Sequence, residues 1–211
     1  MTKTFVFTAA LFASASLGHA IIIQPDAVTA SSQHSANYAP IHTIDGSGLL
    51  GPVASLPDHD AYTSTSNHWT AQSGELLNAW IKWSFNTAQT LDTIYVWNHQ
   101  SNGPAGNDGY DVGAFTLTFF DALDSEIGTF SGTLAYDSPS AQAFDFGELS
   151  GISSVRFDIN SVQSSTTWTG LAEVAFGLNE SVSVPDSSTT ASLLVLALAG
   201  LGLVARRRQL G

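Results

Sequence analysis

The stretch WIKWSF, residues 80–85, decides the fold class of this chain, because apolar and polar side chains alternate along it. Successive side chains of a β-strand point to opposite faces of a sheet. Ile81, Trp83 and Phe85 therefore face one way, and the three residues between and before them face the other. We predict a β-strand here that buries its Ile81 face in a core.

Similar short runs, rich in β-branched and aromatic residues, recur between clusters of Gly, Asn, Asp and Ser. No stretch outside the two termini keeps the 3.6-residue apolar period of an amphipathic helix. Many short strands without the spacing of βαβ units predict an all-β fold, a sandwich of the jelly-roll kind. The further predicted strands cover residues 91–98, 114–121, 126–130, 144–146, 155–159 and 171–178.

The N-terminal segment, from Met1 to Ala20, has the pattern of a secretory signal peptide. Lys3 precedes an apolar stretch over residues 5–17, and small residues lead to a cleavage site after Ala20. The predicted domain then occupies residues 21–183, long enough for one hydrophobic core.

The C-terminal tail, from Val184 to Gly211, has three parts: a short polar motif, an apolar run from Thr189 to Ala205, and a cluster of arginines. A helix needs roughly 17–25 apolar residues to span a bilayer, so this run is at the short end. The basic cluster would stay on the cytoplasmic side. One interpretation is an ordinary C-terminal anchor helix.

The tail also resembles the PEP-CTERM class of bacterial sorting signals, in its Val-Pro-Asp-Ser variant, with Ser188 where that variant usually has Gly. The resemblance implies transient anchoring in the inner membrane, processing by an exosortase, and a final place at the cell surface or in the extracellular matrix. The tail residues assigned to this signal are Val184, Pro185, Asp186, Ser187, Arg206, Arg207 and Arg208.

The predicted domain is strongly acidic. It contains 17 acidic residues against Lys82 and Arg156, a net charge of −15. Such a charge repels phosphate backbones and excludes nucleic acid as a partner. The chain has no Cys, so the domain gains no disulfide on export. Its stability must come from packing, to which bound divalent cations can add.

A series of segments between residues 27 and 178 resembles, in its order, the discoidin or coagulation-factor type C domain and related carbohydrate-binding modules. These proteins share a galactose-binding-like jelly roll, and the resemblance predicts that fold and places Trp69 and Trp80 in the core. The matching segments are 28–32, 38–40, 44–48, 68–70, 79–85, 91–98, 155–159 and 170–176.

The resemblance implies a non-catalytic module that binds sugars through loops at one end and holds a structural calcium ion. Its calcium motif maps onto Asp45 and Glu173, with Ser47 and the carbonyls of His42 and Ala172 as further candidates. Calcium prefers 6–8 oxygen ligands, which a glycine-containing turn such as residues 45–48 can supply.

Glu173 interrupts an apolar strand, so its side chain either faces outward or is buried with a partner. The strand pattern alone favours the outward position, and the resemblance favours calcium ligation.

Two long loops, residues 44–70 and 98–113, are candidate ligand-binding segments, because long connections in compact β domains often carry function. Amides offer both donors and acceptors to hydroxyl groups, and an indole face supplies an apolar contact. Trp168 is either such a stacking residue or a cover for the end of the sandwich. The predicted ligand-binding residues are Asn98, His99, Asn102, Tyr110, Trp168 and Tyr62.

Catalytic motifs are absent from the sequence: it has no Cys nucleophile, G-x-S-x-G elbow, H-E-x-x-H or phosphate-binding loop. The cluster Asp58-His59-Asp60 is expected to be solvated, and the scattered histidines to be structural. The sequence thus predicts an exported, non-catalytic protein that binds carbohydrate or glycan. The alternative is a structural component of an extracellular polymer matrix.

Overall fold

The computed structural model describes residues 20–60, 67–99, 110–163 and 167–179. The predicted signal peptide, the predicted sorting tail, Tyr62 and Asn102 lie outside these ranges. The elements are three short 3₁₀ helices, Ala36–Tyr38, Pro40–Thr43 and Val53–Ser55, and eight strands: β1 Ala20–Ile23, β2 Ala27–Ala30, β3 Trp69–Thr70, β4 Trp80–Asn98, β5 Ala114–Phe120, β6 Glu126–Thr133, β7 Gln142–Ile159 and β8 Gly170–Asn179.

All strand pairs are antiparallel, and the main order is β1-β8-β4-β7-β5-β6, with β2 beside β4 and β3 beside β8. The first part of β4 pairs with β2, and the last part pairs with β8. Strands β4 and β7 thus run through both layers of a sandwich. The prediction of an all-β, jelly-roll domain is confirmed.

Two pairs of predicted strands are each one long strand. Residues 80–85 and 91–98 belong to β4, and residues 144–146 and 155–159 belong to β7. The pairing between β4 and β7 continues through register shifts between Ser84 and Thr93. The polar residues in the middle of β4 are exposed there, which hides the continuity from an apolar pattern. Strands β1, β2 and β3 were not predicted as strands.

The core between the layers is aromatic. Trp83 packs edge-on against Phe157 and Phe176, with ring centroids 6.1 and 6.0 Å away, and Phe115 stacks on Phe157 at 4.5 Å. These side chains are almost fully buried, which makes apolar burial the main stabilising contribution. The alternation in residues 80–85 is confirmed, since Ile81, Trp83 and Phe85 are the buried members.

A second apolar cluster covers the outer face of the layer that contains β8. Tyr95 and Trp97 of β4 pack there against Leu49, Val53 and Leu56. The Trp97 indole nitrogen also donates a hydrogen bond to the Pro57 carbonyl at 2.8 Å. We call residues 40–57 the covering segment, because they bury a sheet face that would otherwise meet water.

The two predicted core tryptophans differ. Trp69 is fully buried, as predicted. The prediction for Trp80 was wrong: it is half-buried on the uncovered outer face, with the Arg156 guanidinium 4.9 Å from its ring centroid. Trp80 alternates with Ile81 along the strand, so only one of the two can point into the core.

Among the described residues, no helix has the length and apolar character needed to cross a bilayer. The predicted C-terminal helix lies outside those residues.

Candidate functional site

The turn at Asp45 is held by its own hydrogen bonds. The Ser47 backbone N–H donates to Asp45 Oδ1, and His42 Nδ1 donates to Asp45 Oδ2, both at 2.9 Å. Gly46 and Gly48 have φ of 73° and 88°, a region that favours glycine. Burial raises the pKa of Asp45, but the hydrogen bonds from Ser47 and His42 outweigh it, so the pKa lies below its usual value.

Glu173 lies beneath this turn and is fully buried. Its Oε1 accepts hydrogen bonds from the Gly46 N–H and from Gln24 Nε2, both at 3.3 Å. Its Oε2 is buried and has no hydrogen-bond partner among the described residues. Burial, helped by the nearby Asp45 and opposed by the hydrogen bonds from Gly46 and Gln24, raises the pKa of Glu173 to about 9.

The position of Glu173 combines both sequence interpretations. Its strand partner is Trp97, which belongs to the outer cluster, so the strand pattern was correct in pointing Glu173 away from the core. The covering segment nevertheless buries it, so the expected exposure to solvent was wrong. An outward-pointing residue of a sheet is exposed only where nothing packs on that face.

The donors at this turn have the chemistry that calcium prefers. Glu173 supplies a buried carboxylate oxygen without a partner, and Asp45 supplies a second carboxylate close to it. The described residues contain no group of three or more His, Cys, Asp or Glu placed to hold a metal. A cation here would therefore also need hydroxyl and carbonyl oxygens, and the roles of Ser47, His42 and Ala172 as ligands stay predictions.

The histidine of the Asp58-His59-Asp60 cluster is buried, contrary to the expectation that the cluster is solvated. Its ring nitrogens lie 3.0 Å from the Ser47 carbonyl and 2.7 Å from the Asp60 carbonyl. The ring also contacts Gly48, where a Cβ would lie 2.4 Å from it. His59 therefore supports the Asp45 turn through its contacts with Ser47 and Gly48, whereas Asp58 and Asp60 are exposed.

The sequence predicted that Asn98 turns toward a ligand, but its side chain faces the backbone instead. It is 1% exposed, and its amide nitrogen donates to the carbonyls of Val112 and Ala135 at 2.9 and 3.1 Å. Its amide oxygen accepts from the N–H groups of Val112 and His99, both at 3.0 Å. Asn98 therefore satisfies buried backbone groups and links the β4–β5 connection, at both of its ends, to the β6–β7 connection.

His99 is likewise buried, but its ring belongs to a closed circuit of six aromatic side chains, which we call the aromatic cluster. Successive ring centroids around the circuit lie 4.3–6.2 Å apart. The members, in order around the circuit, are His34, Tyr38, His68, His99, Tyr110 and Trp168.

The aromatic cluster has a buried side and an accessible side. His68 and His99 are buried, whereas Tyr38, Tyr110 and Trp168 are half-buried and His34 is exposed. Burial lowers the pKa of His68 to about 3 and holds that of His99 well below its usual value, so both rings are neutral near pH 7. The accessible side thus consists of partly exposed aromatic side chains beside two neutral imidazoles.

Buried polar residues concentrate around the same end of the sandwich. Such groups are costly to bury and often mark functional sites. Those of the described residues found there, beyond Asn98 and the two histidines, are Asn67, Thr70, Asp111 and Thr169.

Of the predicted ligand residues, the structure therefore brings together His99, Tyr110 and Trp168. Sequence reasoning missed His34, Tyr38 and His68. All three lie in the connection between β2 and β3, and no local spacing shows that it meets the connections after β4 and before β8. The available signal was the resemblance itself, because Tyr38 and His68 lie in its matched segments and His34 follows one of them.

Comparison with protein families decides the relationship of this chain. Residues 23–176 match the family described as "Domain of unknown function (DUF7402)". The chain belongs to this family. Residues 183–208 match the VPDSG-CTERM motif, a variant of the PEP-CTERM signal, as the tail residues indicated. No curated protein sequence matches the chain.

The DUF7402 domain also resembles solved structures of discoidin-like domains. A family 32 carbohydrate-binding module of Clostridium perfringens NanJ, in complex with galactose, has a TM-score of 0.54 at 13% identity, covering 75% of this chain and 100% of that one. The F5/8 type C domain of a Bacteroides fragilis protein has a TM-score of 0.53 at 14% identity, with 77% and 98% coverage.

A third structure is the family 32 module of AlyQ in complex with 4,5-unsaturated mannuronic acid, with a TM-score of 0.51 and 22% identity over 74% of this chain and 97% of that one. At these identities the likeness shows the fold alone. The DUF7402 domain is therefore a discoidin-like β-sandwich, as the sequence resemblance predicted.

Proposed function

We propose that this protein is an exported, non-catalytic module that binds carbohydrate at the aromatic cluster. The observation that carries the proposal is the accessible side of the cluster, where the half-buried rings of Tyr38, Tyr110 and Trp168 lie beside buried polar groups. Apolar faces of sugar rings stack on such side chains, and neighbouring polar groups fix the hydroxyls. The resemblance to a galactose-bound module supports this assignment.

Binding of the protein without its two terminal signals to a glycan array, with and without calcium, tests the proposal. Trp168→Ala removes an indole from the accessible side and should weaken binding while the melting temperature stays within about one degree. Trp80→Ala, a half-buried Trp on the uncovered sheet face, is the matched control and should leave binding unchanged.

The alternative function, a structural component of an extracellular polymer matrix, is favoured by one observation. Trp168 packs 4.3 Å from His34 and 6.2 Å from Tyr110, ring to ring, as a cover for the end of the sandwich would. If Trp168→Ala unfolds the domain and the unmutated protein binds no glycan, this function replaces carbohydrate binding.

We further propose that a calcium ion occupies the turn at Asp45 and stabilises the fold. A ligand that binds only the native state at a hundred times its Kd adds about 2.7 kcal/mol. A domain of this size should then melt several degrees higher, at roughly 2–4 °C per kcal/mol. Asp45→Ala should abolish the shift. An unchanged melting curve of the unmutated protein in EDTA would exclude the site.

Export and tail processing form the third part of the proposal, supported by the VPDSG-CTERM match. An exosortase would cut the tail near Val184, and signal peptidase would cut after Ala20. Mass spectrometry of the mature protein should find neither end. An intact Arg206–Arg208 end in a cell-surface fraction would instead indicate an ordinary membrane anchor.

A further inference from the structure

The two basic side chains of the domain lie together on the uncovered sheet face. Lys82 and Arg156 are direct cross-strand neighbours on β4 and β7. Lys82 Nζ lies 2.6 Å from Asp124 Oδ1, and Arg156 Nη2 lies 2.6 Å from Asp158 Oδ1. Each cation is therefore already paired with a carboxylate.

Both cations are also fixed over aromatic rings outside the aromatic cluster. Lys82 Nζ is 4.5 Å from the Phe120 ring centroid, and Phe120 ends β5 at the turn that carries Asp124. Arg156 covers Trp80 on the outer face. Because residues 21–183 contain no other Lys or Arg, no such side chain is left to meet a ligand at the cluster.

The two buried histidines of the cluster, His68 and His99, do not replace these cations. His68 and His99 are buried, and burial lowers the pKa of both, so neither ring carries a charge near neutral pH. A carboxylate, sulfate or phosphate on a ligand would meet aromatic side chains and, at His68 and His99, neutral imidazoles. It would also approach against a domain charge of −15.

A positively charged group on a ligand would meet a more favourable surface at the cluster. Aromatic faces arranged around a site attract ammonium groups through the negative face of the ring, most strongly with Trp and Tyr. Tyr38, Tyr110 and Trp168 are half-buried and supply aromatic rings on the accessible side. The acidic field of the domain attracts cations over a longer range, and no neighbouring Lys or Arg competes for the rings.

We propose that the saccharide bound at the aromatic cluster carries free amino groups, and that affinity follows ligand charge: amino sugars bind best, neutral sugars less well and uronic acids worst. This inference rests on carbohydrate binding at the cluster. A cation–π contribution of the usual size corresponds to about a 2- to 30-fold advantage of the amine over its acetylated form.

Calorimetry with three β-1,4-linked oligosaccharides of equal length tests the order: glucosamine, N-acetylglucosamine and glucuronic acid, at fixed calcium. The glucosamine affinity should fall when the pH rises past the pKa of the ligand amine, and the N-acetylglucosamine affinity should not change. Higher salt should weaken glucosamine binding only in part, since direct ring contacts are screened less than the field of the domain.

Trp168→Leu, which removes the aromatic face and keeps an apolar side chain, should reduce the preference for glucosamine over N-acetylglucosamine. Glu148→Gln is the control for general acidity: it removes one exposed charge on β7 and should leave that preference intact.

The outcomes separate the two proposals. No binding of any of the three sugars overturns carbohydrate binding, and this inference with it. Equal binding of N-acetylglucosamine and glucosamine, or glucuronic acid binding as well as either, overturns the inference alone. A glucosamine preference that survives Trp168→Leu and disappears in high salt also overturns it, because the sugar then adsorbs to acidic surface. Even if the variant fails to fold, the affinities of the unmutated protein for the three oligosaccharides decide whether the proposed order holds.

Discussion

The two ends of strand β4 belong to one strand but meet different surroundings. In residues 80–85, buried and half-buried side chains alternate, whereas every residue from 91 to 98 is buried. The difference comes from the covering segment, which packs Leu49, Val53 and Leu56 on one outer face and leaves the other uncovered. Alternation of buried and half-buried side chains along a strand therefore indicates that one face of the sheet is open to water. Where every side chain is buried, both faces are covered.

The same difference separates the charged groups of the domain. The uncovered face holds Lys82 and Arg156, partly exposed, each beside a carboxylate that water can also reach. The covered face holds Glu173, fully buried, with an oxygen that no described group satisfies. Burial without a partner is costly, so the covered face is where a cation would gain most.

Replacing one tryptophan on each face gives the largest expected contrast. Trp97→Ala leaves a cavity under the covering segment and removes the hydrogen bond to Pro57, so it should destabilise the domain by about 3–5 kcal/mol. Trp80→Ala, on the uncovered face, should cost less than half as much. Urea unfolding of both variants measures the difference. Equal losses would show that the covering segment adds little stability.

Asn98→Ala should have the next largest effect, because the amide serves four backbone groups at the covered end of β4. A buried group that loses its partner costs about 1–3 kcal/mol, so we expect a loss near the upper end of that range. Asn160→Ala, whose exposed amide contacts Thr116, is the control and should cost no more than about 0.5 kcal/mol. A loss below about 1 kcal/mol for Asn98→Ala would return Asn98 to the candidate ligand residues.

The all-β fold could be predicted because its evidence is local. Alternation in residues 80–85 and 155–159 follows directly from strand geometry, and the tail motif could be read from its residue types. Burial of Asn98 could not be predicted, since its partners at Val112 and Ala135 are distant in sequence. A polar residue at a strand end has the same local pattern whether it faces solvent or backbone.

The candidate site was predictable only in part for a related reason. Tyr110 and Trp168 were chosen because they stand in polar connections, and both belong to the aromatic cluster. Their partners His34 and His68 stood in equally polar surroundings, and pattern alone could not show that connections so far apart converge. Convergence of loops at one end is set by the order of strands, which the sequence does not state.

Glu173→Gln should change how stability depends on pH by a moderate amount. Burial raises the pKa of Glu173 from 4.5 to about 9, so between these values the folded protein keeps a proton that the unfolded chain releases. Stability of the cation-free protein should therefore fall as pH rises through this range, and Glu173→Gln should remove that contribution.

Urea unfolding in EDTA at a series of pH values measures the effect. Glu148→Gln, on an exposed carboxylate, serves as the control and should keep the slope of the unmutated protein. Calcium should flatten the slope of the unmutated protein and leave that of Glu173→Gln unchanged, because the bound ion favours the ionised carboxylate. Identical slopes for Glu173→Gln and unmutated protein in EDTA would mean that Glu173 is solvated in solution.

Lys82→Met should have the smallest effect, although it removes half of the basic charge of the domain. The ammonium has a carboxylate at 2.6 Å and a ring below it, but Asp124 is largely exposed, and exposed pairs contribute about 0.2–1 kcal/mol. Met keeps the apolar stem over Phe120, so the expected loss is at most about 1 kcal/mol and should shrink in high salt. A double-mutant cycle with Asp124→Asn isolates the pair. A coupling well above the range of exposed pairs, about 2 kcal/mol or more, would mean that this face is covered in solution, as the opposite face is by the covering segment.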